Sequence, residues 1–133
     1  MRSSASNAAA AARSSDPVEP ALDLDHLGRM TLGDAALERD VLRLFDRQSE
    51  MLTERLRDAS ASAAASCAHT LKGSARGIGA WRLARAAEQV ERVVAGGEPE
   101  LTAAIARLAG AIEETRSAIA KRLFTSAPLA EPL

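Results

Sequence analysis

Aromatic side chains are almost missing from this chain: among 133 residues only Phe45, Trp81 and Phe124 carry one, and there is no Tyr. A β sandwich or barrel draws heavily on Val, Ile, Tyr and Phe, and the short runs bounded by turn signals that mark strands are lacking too. All-β and α/β folds are thereby excluded. The one cysteine, Cys67, can make neither an internal disulfide nor a thiolate metal cluster. An excess of charge is also lacking, since 17 Lys and Arg stand against 18 Asp and Glu. Without a basic surplus to meet a phosphate backbone, nucleic acid is not the expected partner. No apolar stretch approaches the roughly 18 to 20 residues of a membrane span. The expected setting is a reducing cytoplasm. What the chain does have is alanine, 30 residues of it, in a mass of 13.9 kDa. That composition suits close-packed helices around one core, in a single domain.

Residues 1–20 hold Ser, Ala, Asn and Pro with little to bury, and read as a disordered tail. Their Arg, Ser and Ala bias is that of an organelle transit peptide, but the amphipathic apolar face is missing, and no secretory cleavage region follows. From there the periodicity is helical, and residues 21–124 read as the folded domain. A short helix is expected over about Leu22–Met30. A second, over about Asp34–Arg57, buries Leu37, Val41, Leu44, Phe45, Gln48, Met51, Leu52 and Leu56 along one stripe. Asp34 is its expected N-cap, with Thr31 as a partner in a capping box. A third over Ser60–Arg76 and a fourth over Ala80–Ala95 flank Gly77-Ile78-Gly79. Leu83, Ala87, Val90 and Val94 line the fourth, which stops at Gly96-Gly97. Pro99 opens a fifth, whose apolar edge runs through Leu101, Ile105, Leu108, Ile112, Thr115, Ile119 and Leu123. Residues 125–133 read as a flexible C-terminal tail. Short connections between long amphipathic helices give an all-α, antiparallel four-helix bundle with a short additional N-terminal helix.

The segment from Ala68 to Ala80 carries the chemistry. At about 100° per residue, Ala64, Cys67, Leu71, Ala75 and Ile78 fall on the side opposite His69, while Ser62, Ala65, Ser66, Lys72, Gly73 and Arg76 lie within about 60° of it. His69 is therefore expected in solvent, in a clearing of small side chains. Lys72 and Arg76, one and two turns on, place positive charge beside any anion on the ring. Gly73 costs on the order of 1 kcal/mol of helix stability relative to Ala. Leaving the ring open to a partner is a physical use for that cost. His26 has Arg29 and Met30 where His69 has Lys72 and Gly73, so it is not expected to be a second site. Arg82 and Arg85, on the next helix, are candidate contacts for an acidic partner surface, and Trp81 is expected at the bundle's end or at a docking edge.

His69-Thr70-Leu71-Lys72-Gly73-Ser74-Ala75, with Gly79-Ala80 after it, resembles the histidine-containing phosphotransfer (HPt) domains of multistep phosphorelays. Supporting helices extend over about residues 22–123. The resemblance implies a four-helix bundle in which His69 takes a phosphoryl group from the aspartate of a response-regulator receiver domain and passes it to another. It implies that Lys72 balances phosphate charge and that Gly73 keeps the ring accessible. In that family an acidic residue or Gln on the following helix often bonds the ring, and Glu91, 22 residues after His69, occupies the matching place. A carboxylate accepting from Nδ1–H would leave Nε2 free as the nucleophile. Partners so implied are receiver domains and a hybrid histidine kinase, met by a monomer. No cofactor is expected on this chain, since it has no carboxylate cluster at a metal spacing, and Mg²⁺ is expected on the receiver. No glycine-rich nucleotide loop is present, so kinase activity towards ATP is not expected. Two other readings stand beside this one: an adaptor that docks a receiver or kinase and transfers nothing, and the phosphorylated domain of a histidine kinase. The Met start and the lack of a following domain weigh against the second of these.

Overall fold

The computed structural model describes residues 19–126, and every regular element among them is helical. The elements are α1 (Leu24–Met30), α2 (Ala35–Leu56), α3 (Ala61–Ile78), α4 (Trp81–Val93) and α5 (Glu98–Ser126). Helices adjacent in sequence from α2 to α5 pack on one another, and α5 returns against α2, which closes an antiparallel four-helix bundle. The short α1 packs on α3. The segment 1–18, most of the expected N-terminal tail, lies outside the described residues, as does 127–133. Thr125 and Ser126, expected in the C-terminal tail, continue α5 instead.

Polar side chains start the first three helices. Asp23 accepts from His26 N–H at 3.0 Å, Asp34 from Leu37 N–H at 3.0 Å, and Ser60 from Ala63 N–H at 3.1 Å. Thr31 does not join Asp34 in a capping box. Its hydroxyl donates back to the Leu27 carbonyl at 2.8 Å and closes the end of α1.

The core is built from Leu27, Leu42, Leu71, Leu83, Leu108, Ile112, Ile119 and Val90, filled in by alanines of α3 and α4. On α3 the buried set is Ala64, Cys67, Ala68, Leu71, Ala75 and Ile78, the side opposite His69. On α2 Phe45, Leu52 and Leu56 are buried as expected and Val41 and Gln48 are half-buried, but the rest of the stripe lies one residue further along the chain. Glu38, Leu42, Phe45, Ser49, Leu52 and Leu56 are buried, whereas Leu37, Leu44 and Met51 are exposed. Glu38 receives a forked pair of bonds from Arg122 of α5, at 2.6 and 3.1 Å, and Asp46 receives another from Arg116 at 2.8 and 3.3 Å. These pairs join α2 to α5 beside the buried row, and Leu37 and Leu44 lie on the solvent side of it.

At one end of the bundle α1 is clasped to the turn after α3. Asp23 N–H donates to the Gly79 carbonyl at 2.9 Å, Trp81 Nε1 donates to the Asp23 carboxylate at 2.9 Å, and the Trp81 ring packs against His26 at 4.8 Å. His26 Nε2 reaches the Arg76 carbonyl at 3.0 Å, an oxygen of the last turn of α3 that also accepts from Gly79 N–H at 3.4 Å. Gly79 takes a left-handed backbone (φ 80°) and lies so close that a Cβ there would meet the Asp23 carbonyl at 2.9 Å. Gly79→Ala therefore combines left-handed strain of about 1 to 2 kcal/mol with a backbone clash, and a fall of at least that size in unfolding free energy is the expected result of chemical denaturation.

Candidate functional site

The middle of α3 faces solvent on one side because its apolar residues all turn the other way, and His69 stands on that open side with its side chain 74% exposed. Around the ring lies a shallow depression lined by Ser62, Ala65, Ser66, Thr70 and Val94. Ala65 is half-buried and Ser66 exposed, so the two residues expected beside the ring do border it. Thr70 and Val94 were not expected there. Val94, just past α4, could have been placed only once the packing of α4 on α3 was known.

The α4 residue that meets the ring is Glu91. His69 Nδ1 lies 2.9 Å from Glu91 Oε2, and Lys72 Nζ lies 2.6 Å from Oε1 of the same carboxylate. Oε1 is buried and takes no aligned hydrogen bond, so its contact with the ammonium is an ion pair. One carboxylate thus joins two side chains placed one turn apart on α3. Lys72 first and His69 second hold the Glu91 carboxyl below its ordinary value of 4.5, against a smaller opposing effect of burial. An ionised carboxylate only accepts, so the hydrogen of this bond belongs to Nδ1 and the free ring nitrogen is Nε2. The Lys72 ammonium, expected on the same face as His69, is engaged with Glu91, its side chain only 18% exposed.

Gly73 is exposed one turn after His69, and an added Cβ would touch nothing within 4 Å. No packing within the bundle calls for glycine at this position. Arg76 is exposed on the same face. Arg82 and Arg85 are not brought to the ring. Arg82 lies about 180° round α4 from Glu91 and about 13 Å along its axis by helix geometry, and it pairs with Glu114 at 3.2 Å and with the Glu19 carbonyl at 3.3 Å. Arg85 pairs with the Glu19 carboxylate. Arg82 thus ties both the N-terminal approach and α5 to α4, and Arg85 ties the N-terminal approach. Among the described residues, no three His, Cys, Asp or Glu side chains gather as a metal site, and no helix is long and apolar enough to cross a membrane.

Two stability measurements check this geometry. Gly73→Ala should raise unfolding free energy by about 0.5 to 1 kcal/mol, since the methyl meets no neighbour and glycine is the poorer helix former. The Lys72–Glu91 pair depends on an ionised carboxylate whose pKa is depressed in the folded state, so its contribution is complete above pH 4.5 and fades as pH falls below that value. Lys72→Met should accordingly lower the thermal midpoint at pH 7, by an amount that shrinks below pH 4.5.

The Hpt domain family model matches residues 39–119, which is more than half of the chain and includes His69, Lys72, Gly73 and Glu91. Searches of the curated proteins and of the solved structures gave no match. Hpt domains are helical bundles, as this structure is, and the chain belongs to the Hpt domains, with a phosphotransfer role in two-component signal transduction.

Proposed function

We propose that this protein is a monomeric phosphocarrier of a multistep phosphorelay, in which His69 takes a phosphoryl group from one receiver aspartate and gives it to another. One observation carries the reading: an exposed imidazole whose Nδ1 is bound to an ionised carboxylate, which leaves Nε2 as its unbonded nitrogen. The ring needs no further base, because Nε2 offers a lone pair and not a proton. As Nε2 attacks phosphorus, positive charge grows on the ring and the Glu91 carboxylate beside Nδ1 stabilises it.

Phosphoryl transfer depends mainly on in-line positioning and on neutralising the equatorial oxygens. On this side of the encounter Lys72 supplies that charge, its ammonium passing from Glu91 towards the phosphoryl oxygens, with Arg76 adding charge one turn further along. The partner supplies the aspartate and the Mg²⁺ held beside it. Gly73 is the gap through which the partner's loops approach the ring. Partners of the relay are receiver domains and a hybrid histidine kinase that carries one.

Incubation with ATP alone should leave the chain unlabelled, whereas a receiver phosphorylated on its aspartate should place acid-labile phosphate on it. His69→Gln should abolish that label. Tight binding of the receiver with no transfer to the wild-type chain would overturn the reading in favour of a docking role.

A further inference from the structure

Leu32, in the turn between α1 and α2, is at a disadvantage in both backbone and side chain. Its φ is 56°, the one positive value at a non-glycine position among the described residues, and it is 87% exposed. The turn closes α1 in a common way. Leu32 N–H donates to the Arg29 carbonyl at 3.2 Å and Gly33 N–H to the Gly28 carbonyl at 2.9 Å, with Thr31 as the cap, so Leu32 stands at the left-handed position that glycine ordinarily fills. A Cβ there crowds the following carbonyl, and an apolar side chain meets water as well. Such caps often gain an apolar contact between the residue after the left-handed one and the last turn of the helix. Here those two positions are Gly33 and Gly28, which have nothing to offer. Glycine at position 32 would serve the bundle better than leucine does. A residue held in a disfavoured conformation, with nothing inside the chain to contact, points to a task outside it.

We propose that Leu32 is an anchor for the receiver domain that exchanges phosphate with His69, its side chain entering an apolar recess on that partner. This rests on the phosphotransfer reading and deepens it, by naming a residue away from the reacting atoms that selects the partner. The occupant follows from continuity of surface. A receiver aspartate can reach the ring only if the receiver sits on the open side of α3, and from there the surface runs unbroken to the turn. Gly73 follows His69 by one turn, and Ser74 beside it lines, with Gly77, a groove whose other wall is Met30, Thr31 and Leu44. Leu32 comes directly after Thr31. By helix rise and interhelical spacing the turn lies on the order of 15 Å from the ring. A stable interface covers about 800 Å² per partner, a patch on the order of 30 Å across, so a receiver seated over His69 and the groove covers the turn too. Exposed apolar side chains show which way the partner extends from the ring. Met30, Leu37, Leu44 and Met51 continue from Leu32 along the outer row of α2, whereas α3 and α4 expose no large apolar side chain among the described residues.

The test measures transfer and binding separately in the full chain. The receiver domains of the source organism, each phosphorylated on its aspartate, are screened for binding and for labelling of the wild-type chain, and the most efficient one is carried forward. Leu32→Gly and Leu32→Asn suit a left-handed backbone and remove the apolar contact, while Leu32→Met retains it. The first two should raise KM for the phosphorylated receiver, and its Kd, about tenfold with the maximal rate unchanged. Leu32→Met should stay within about twofold of wild type. Leu32→Gly should also raise the thermal midpoint by a few degrees, the reverse of what loss of a structural residue gives. Labelling of His69 by potassium phosphoramidate, which needs no docking, should be equal in all four chains after subtraction of the His69→Gln chain. An unmoved KM in Leu32→Gly and Leu32→Asn, a KM in Leu32→Met as high as theirs, a lowered thermal midpoint in Leu32→Gly, or a parallel loss of phosphoramidate labelling would each overturn the proposal. The two readings fail apart. Receivers that label wild type and Leu32→Gly with the same KM sink the anchor and leave the relay; receivers whose binding depends on Leu32 but which label neither chain sink the relay and leave the anchor; receivers that neither bind nor label sink both.

Discussion

The carboxylate of Glu91 is the point on which the site turns. It reaches from α4 to two side chains of α3, fixing the hydrogen of one and the charge of the other. Such a bridge demands that α3 and α4 lie close and in a single register. Both demands trace to small residues. Ala64, Ala68 and Ala75 on α3 and Ala84 and Ala87 on α4 are buried, and short side chains let two helix axes approach. The turn between them is as tight as a left-handed Gly79 allows, and α1 closes over it. An alanine-rich composition and a precise contact between three polar side chains are thus two aspects of one arrangement.

The opposite side of the bundle is tied by charge. Glu38 with Arg122 and Asp46 with Arg116 join α2 to α5 by forked bonds. A partly buried ion pair adds little net stability over a well-packed apolar pair, because desolvation offsets most of the attraction. Its effect is directional: the forked geometry fixes the register of α2 on α5 beside an inward face that is itself apolar, with Leu42, Phe45, Leu52 and Leu56. Leu37, Leu44 and Met51 are left at the surface.

The contrast between α3 and α2 explains what the sequence could and could not reveal. On α3 the apolar and small polar residues separate cleanly by projection, so the buried face, the exposed His69 and the borders at Ala65 and Ser66 were legible from spacing alone. On α2 two apolar rows lie side by side, Leu37, Leu44 and Met51 beside Leu42, Phe45, Leu52 and Leu56, and spacing alone does not tell which one faces the core. The same limit applied to Arg82 and Arg85. Their place at the start of α4 suggested the active face, but helix phase carries them away from Glu91 and towards Glu19 and Glu114. Glu91 itself was reachable through the family pattern, whereas the engagement of Lys72 by the same carboxylate was not, because a helical wheel gives directions and no distances. The clasp of Asp23, His26 and Trp81 left no periodic signal at all, being made by three residues that each look ordinary in their own segment.

That clasp bears on where this domain begins. The stretch shared with the family starts at residue 39 and stops at 119, yet Asp23 and His26 lie upstream of it, Glu38 sits just outside its first residue, and Arg122 falls beyond its last. A fragment trimmed to the recognisable family segment would keep His69, Lys72, Gly73, Arg76 and Glu91. It would lose the lid over the carbonyl end of α3 and one of the two cross-ties between α2 and α5. The portion of the chain that defines the family is therefore smaller than the portion that holds its histidine helix in place.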